Sequence, residues 1–264
     1  MTRIALMVEY DGSRFHGWQT QRDGVRTVQS ELEAALSRVA DHPVTLICAG
    51  RTDAGVHGTG QICHFDSAAA RDMKAWVMGG NRFLPDDVAI GWAVPVSERF
   101  HARFSAMRRR YRYVIYNHST PPALFRRQVT WNHRPLDVDA MNAAAAQLLG
   151  THDFTSYRSA QCQAKSPVKT LHGISLQRRG ELIVLEVEAN AFLMHMVRNI
   201  AGVLMSIGAG YQPVDWAAQV LAARDRRAGG VTAPPYGLYL VAVGYPEEFD
   251  LPKVADGPLW LAHW

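Results

Sequence analysis

Apolar residues in the first hundred positions recur with two different periods. The order in which those periods alternate restricts the fold more than any other property of the chain. Residues 3–10 alternate as a strand does and run into Asp11-Gly12-Ser13, a turn signature. After a polar loop, Thr27 stands where a helix N-cap would, and Val28, Leu32, Ala35, Leu36 and Val39 recur at helical spacing. Residues 44–49 and about 59–66 read as strands on either side of the sharp segment 50–58, followed by a helix over about 71–80 and a strand near 87–95. Strand, helix, strand, strand, helix, strand is the order of a split βαβ, or ferredoxin-like, unit. A dinucleotide-binding reading fails, because no Gly-x-Gly-x-x-Gly follows a strand.

The second half resembles the first with a helical insertion. Residues 97–107 look like the crossing, 110–116 alternate as a strand, and 117–122 close it with turn residues. Asp137 is placed to cap a helix over 136–149, and 152–164 is polar, as loop or short helix. Residues 168–176 and 182–187 read as a hairpin around Arg179-Gly180; helices over about 193–208 and 213–223, a Gly/Pro-rich loop over 229–237 and a strand over about 238–243 complete the chain. With 264 residues, 48% of them apolar, the chain is long enough for two domains. The expected architecture is α/β (α+β): two ferredoxin-like domains, 1–105 and 106–264, with antiparallel or mixed sheets that join across the middle.

Several function classes are disfavoured by composition. Cys48, Cys63 and Cys162 are odd in number and widely spaced, which fits a reducing, cytoplasmic setting rather than a disulfide framework. No secretory leader is legible at Met1-Thr2-Arg3, and no apolar run is long enough to span a bilayer. The eleven histidines and three cysteines show no close metal-binding pairs, so no metal is expected. Of 28 basic residues, 24 are arginine. That bias suits phosphate binding and base stacking, although codon usage in a GC-rich genome produces it too. Arginines cluster at Arg99 and Arg103, at 108–110 with Arg112, at Arg126-Arg127, and at Arg224, Arg226 and Arg227; they form a phosphate-binding surface only if folding brings them to one side.

Four segments carry candidate chemistry. Gly50-Arg51-Thr52-Asp53-Ala54-Gly55-Val56-His57-Gly58 packs an acid, a base, a histidine and three glycines between two strands. Glycines let such a loop approach a ligand closely, so Asp53 is the natural nucleophile or general base, with Arg51 to pair with it or to reach a phosphate. The same residues also suit a turn in which Asp53 caps its own backbone. Residues 11–19, with Asp11 and Arg14, form a second polar and aromatic loop that reads as a binding edge, in which Trp18 by itself reads rather as a plug between sheet and helix and Asp11 as an organiser of the loops through hydrogen bonds. In Arg108-Arg109-Arg110-Tyr111-Arg112-Tyr113, strand alternation puts both tyrosines on one face with Arg109 and the other arginines on the opposite face, a pattern suited to flipped or single-stranded bases. Arg198 lies in an otherwise apolar helix and needs an anionic partner; a bridge to Asp53 would join the halves at one pocket.

These segments, together with Phe192-Leu193-Met194-His195-Met196-Val197-Arg198-Asn199 and Pro235-Tyr236-Gly237-Leu238-Tyr239-Leu240, resemble the tRNA pseudouridine synthase A family, in the family's order, from Tyr10 to Pro246. The resemblance implies a homodimer of two-domain monomers around a basic cleft, acting without cofactor on tRNA positions 38, 39 and 40 of the anticodon stem-loop. It implies Asp53 as the essential carboxylate, Tyr111 packed against the target base, Arg51 holding the flipped nucleotide, Arg198 paired with Asp53, and Leu238 in the apolar pocket lining. Arg14, His57, Arg109 and Arg110 are further candidate substrate contacts. The rivals are a noncatalytic RNA-binding protein, which gives Asp53 no task, and a metal-dependent phosphate-ester hydrolase, which wants a metal cluster. The tail after Phe249 lies outside the motifs.

Overall fold

The computed structural model describes residues 1–21 and 24–261. The chain forms two compact units, one of Met1–Met107 with the segment from Tyr239 onward, the other of Arg108–Leu238. The architecture is α+β.

In the first unit, β1 (Thr2–Tyr10) lies between β3 (His57–Ser67) and β4 (Val88–Val96), antiparallel to both. On the far side of β3 run the short β2 (Ile47–Cys48), antiparallel, and the C-terminal β10 (Leu238–Gly244), parallel, with Tyr239 opposite His57. The unit's sheet is therefore mixed. The run Ile4-Ala5-Leu6 is apolar on both strand faces because both are covered. Ile4, Leu6, Val8 and Tyr10 pack with Leu32, Leu36 and Trp76 from helices α1 (Val28–Ala40) and α2 (Met73–Phe83), while Ala5 packs on the other face with Ile62, Phe100 and Ala102. Burying each Leu or Ile there contributes roughly 1.5–3 kcal/mol. Thr27 caps α1 as expected, in a reciprocal box with Ser30.

Two expectations change here. The strand anticipated over 44–49 shrinks to two residues, because the N–H groups of Val44 and Leu46 are taken by Ser37 Oγ (2.9 Å) and Glu33 Oε1 (2.8 Å) of α1. The last strand, placed by sequence in the second half, belongs from Tyr239 onward to the first unit, where it pairs with β3.

The second unit is built on β5 (Arg108–Asn117), β9 (Leu182–Ala189), β8 (Val168–Arg179) and β7 (Gly150–Asp153), adjacent in that order and antiparallel, with β6 (Thr130–Asn132) parallel to β5. The β8–β9 hairpin turns at Gly180, whose φ of 57° suits glycine. Helices α3 (Val138–Ala146, capped by Asp137), α4 (Met196–Gly208) and α5 (Trp216–Ala223) supply the rest. The strands β6 and β7 were not anticipated, and α4 starts at Met196 rather than near 193, after His195 in the left-handed region at φ 63°. Among the described residues no helix is long and apolar enough to cross a membrane. Of the tail, Leu259–Leu261 forms a 3₁₀ turn, and the sequence's last three residues lie outside the described residues.

Candidate active site

In the first unit, the loop bearing Asp53 is held by its backbone. Gln61, fully buried on β3, spans the loop's entrance: its Nε2 donates to Gly50 O at 2.6 Å and its Oε1 accepts from Gly50 N–H at 3.4 Å. The Val56 N–H donates to Asp53 O at 3.1 Å, closing a turn with Gly55 at φ 79°. The second predicted loop, which follows β1, is laced to this one. Tyr10 OH meets Thr52 Oγ1 at 2.9 Å, and Trp18 N–H donates to Thr52 O at 3.0 Å. Trp18 itself is buried beside Tyr10, rings 5.7 Å apart, and fills core as expected. Thus both sides of Asp53 are anchored in buried structure, while Asp53 is half-buried and Arg51 exposed.

Asp11 and His57 join the two loops from the side. Asp11 Oδ1 accepts from the Ser13 N–H and lies 3.1 Å from His57 Nδ1, which also faces the Gly12 N–H at 3.1 Å. One nitrogen cannot donate to Asp11 and accept from Gly12 at once. An ionised carboxylate favours the proton on Nδ1, so the Asp11 contact is the one that holds. Burial pushes the Asp11 carboxyl up, but hydrogen bonds from His57 and Ser13 outweigh it and hold the group well below the usual carboxylate range. The His57 ring stacks on Tyr239 at 4.6 Å, is almost fully buried, and so acts as a brace between β3 and β10. Arg14 is exposed at the end of the 3₁₀ turn Gly12–Arg14.

In the second unit, β5 carries Tyr111, 8% exposed, with its ring edge-on to Phe192 at 5.0 Å. The neighbouring Tyr113 is fully buried, its hydroxyl within 2.6 Å of Thr130 Oγ1 and 2.9 Å of Pro234 O; the Thr130 hydroxyl donates to Tyr236 O. Burial pushes the Tyr113 phenol well above its ordinary range. Val114 N–H donates to Gly237 O at 2.8 Å, and Gly237 has φ 84°, with room for no Cβ because Val114 O would stand 2.4 Å from it. Leu238 follows, buried. Arg198 sits in the first turn of α4, where its Nε donates to Ala233 O at 2.8 Å and its carbonyl accepts from Ala233 N–H at 3.2 Å. Tyr111, Arg198 and Leu238 therefore occupy three segments stitched around β5.

The arginine clusters divide. Arg112 Nε donates to Glu186 Oε2 at 2.7 Å, with Arg110 and Arg108 within 3.8 and 3.7 Å of Glu186 and Glu188; these partners face them across β9. Arg109 Nη1 donates to Asn190 O at 2.9 Å. Arg226 braces the loop after α5 through Gly229 O, Gly230 O and Thr232 Oγ1, and Arg227 pairs with Asp225 at 2.7 Å. Sequence reasoning missed Gln61 and the Tyr113–Thr130 pair as supports. A single amide within the apolar stretch of β3 was the available signal, since a buried amide needs partners. Among the described residues, no three His, Cys, Asp or Glu side chains are placed to share a metal ion.

The sequence has counterparts among known proteins. A family described as tRNA pseudouridine synthase matches residues 6–105 and 144–246. A protein of Alcanivorax borkumensis named tRNA pseudouridine synthase A is 69% identical over 261 residues, covering 99% of this chain and 98% of the relative. Proteins of the same name from Pseudomonas aeruginosa and Coxiella burnetii are 62% and 56% identical, each over 99% of this chain and over 92% and 100% of their own lengths. The matched segments hold the Asp53 loop and the first turn of α4 but not β5, which lies between them, and the chain belongs to the tRNA pseudouridine synthase family.

Proposed function

We propose that this chain isomerises uridine to pseudouridine at positions 38, 39 and 40 of the tRNA anticodon stem-loop, with Asp53 as the catalytic carboxylate. Membership of the family carries the reaction class. The observation that carries the residue is the anchored loop: Gln61, Thr52 and Val56 fix the backbone on both sides of Asp53, as a reacting group needs.

The reaction breaks the bond from N1 to C1′, turns the uracil and joins C5 to C1′. N1 gains a proton and C5 loses one, so atoms balance and no electrons enter or leave; the chemistry requires no redox cofactor. The target base leaves its stack at a cost of about a few kcal/mol, offset in part by Tyr111 against the ring and Arg51 on the phosphate. Asp53 acts ionised, by attack at C1′, by attack at C6, or by removing the C2′ proton on a glycal route. Arg198 pairs with it and keeps it charged, Leu238 lines the pocket, Tyr111 packs against the target base and is one candidate to take the C5 proton, and Arg14, Arg109 and Arg110 support the RNA, whereas the buried His57 braces Asp11 rather than meeting RNA.

The wider setting belongs to the same proposal. The chain works as a cytoplasmic homodimer of two ferredoxin-like units around a basic cleft. Strand neighbours β4, β1, β3 and β2, with α1 and α2 between successive strands, support that description of the first unit. In the second, β5, β9 and β8 lie in the corresponding order, with α3 between β5 and β8 in sequence.

Tritium release from tRNA carrying [5-³H]uridine tests the assignment, because C5 loses its hydrogen only when the new bond forms there. Wild type should release tritium and Asp53→Asn should release none while still binding tRNA. Undiminished turnover by the pure variant would sink the role of Asp53, and no release by wild type would sink the reaction.

A further inference from the structure

Between β4 and β5 the chain carries an aromatic pair that the proposed chemistry leaves unused. Phe100 and Ala102 are fully buried, yet Phe104, two residues on, is 76% exposed. Scattered exposed aromatics are ordinary on protein surfaces. This one is held in place. Its ring stacks on His101, centroids 4.3 Å apart and planes 29° from parallel. His101 Nδ1 accepts from the backbone N–H groups of both Arg103 (3.2 Å) and Phe104 (3.1 Å), so the turn that presents Phe104 also fixes the ring beneath it. The His101 N–H donates to Ser105 Oγ at 3.0 Å, and Ser105 N–H donates back to His101 O at 2.9 Å. Below lies His64, buried and edge-on to His101 at 4.9 Å, its Nδ1 accepting from Ala102 N–H at 3.1 Å. The Arg103 guanidinium stands over the Phe104 ring, 5.6 Å from its centroid.

The result is a two-ring stack seated on a buried histidine, with the Arg103 cation over its outer ring. Both Phe104 and Arg103 are exposed, so the ring and its cation face solvent. A rigid aromatic face beside arginine suits a nucleobase with its phosphate, since every base offers a π-face and every nucleotide an anion.

We propose that Phe104, backed by His101 and flanked by Arg103, is a stacking platform for an unpaired base of the RNA substrate other than the target uridine. The proposal rests on the tRNA reading above and adds a second base contact to it. Holding a neighbouring nucleotide out of the stack would steady the strand while the target base is turned.

The test uses the full chain with Phe104→Ala and Phe104→Trp, and unmodified tRNA transcript. Stacking on one base implies that Phe104→Ala weakens tRNA binding on the order of ten-fold, with the loss falling on KM more than on kcat, and that Phe104→Trp restores it. An anticodon stem-loop substituted with 5-iodouridine should photo-crosslink to the peptide that contains residue 104. Binding by Phe104→Ala equal to wild type, crosslinks that avoid this peptide, or a change of oligomeric state as the only effect of the substitution would each overturn the platform. If wild type binds and crosslinks through residue 104 but releases no tritium, the isomerase reading fails and the platform stands. If wild type releases tritium and Phe104→Ala behaves identically in binding and KM, only the platform fails.

Discussion

Gly12 is where the two loops of the first unit touch most closely, and replacing it with alanine separates a stability effect from a catalytic one. A Cβ built on Gly12 would stand 1.9 Å from Val56 O, 2.5 Å from Val56 C and 3.1 Å from Val56 N. All three are backbone atoms, so no side chain can swing aside. Ordinary carbon–oxygen contact is near 3.5 Å, so the loops must part by about 1.6 Å. Overpacking of this kind costs about 1–3 kcal/mol, against a total stability for a folded domain of about 5–15 kcal/mol, so the protein still folds. For a chain of this size the loss lowers the melting temperature by roughly 2–4 °C per kcal/mol. The catalytic effect is larger. The Val56 N–H closes the turn on Asp53 O, so a displaced Val56 carries Asp53 with it. A misplacement of about 1 Å costs on the order of 100-fold in rate. Gly12→Ala should therefore reduce single-turnover tritium release about 100-fold, while tRNA affinity changes little and thermal unfolding shifts by several degrees. Gly173→Ala, on β8 with nothing within 4 Å of its Cβ position, is the matched control and should leave both unchanged. Wild-type turnover by Gly12→Ala would refute the coupling between these loops.

Acid sensitivity of the fold should trace in part to His64. Burial, aided by Arg3 and His101 and opposed only by Asp66, pushes this imidazole down to about 4, while the unfolded value is near 6.5. Between those values the unfolded chain takes up a proton that the folded chain refuses; the stability is present above about 6.5 and lost as pH falls toward 4. Urea midpoints at pH 7 and pH 5 should differ less for His64→Asn than for wild type, and an undiminished difference would rule His64 out as the source. His101, also lowered by burial, leaves a residual of the same sign. Arg198→Ala removes the hydrogen bond to Ala233 O, at a cost of about 1.5–3 kcal/mol for a charged donor, and should lower both melting temperature and turnover; normal values of both would show the residue to be dispensable.

Legibility in the sequence followed the range of the interactions. The strand β1 and helix α1 were readable because their periods run for nine and thirteen residues and Thr27 marks the start of the helix. The strands β6 and β7 are three and four residues long, too short to establish a period, and exist because β5 and β8 offer them edges. For β2 the competition was local but invisible: Ser37 and Glu33 look like solvent-facing helix residues until the chain folds back and they take the backbone donors of Val44 and Leu46. The final strand reads correctly as a strand, yet its partner β3 lies far away in sequence, so its unit could not be read. At the site, the glycines of the 50–58 segment exposed the Asp53 loop, whereas the brace between Asp11 and His57 joins residues distant in sequence.

The arginines show the same division and bear on how RNA is held. As sequence, 24 arginines suit a phosphate-binding surface only if folding gathers them on one side, and codon usage explains their number as well. As structure, Arg3 is bound to Asp66, Arg26 to Asp87 and Glu31, Arg112 to Glu186, and Arg227 to Asp225, all between 2.7 and 2.9 Å. A guanidinium engaged this way must give up a carboxylate to take a phosphate, a poor exchange for a partly buried pair. Arg3, Arg26 and Arg112 therefore serve the fold. On the function proposed above, exposed arginines such as Arg14 and Arg51 are the first candidates for RNA contact. Arg14 and Arg51 stand on the two laced loops and Arg103 over the Phe104 ring. A modest net charge of +4 is then no obstacle to RNA binding, because position and not total sets the local field.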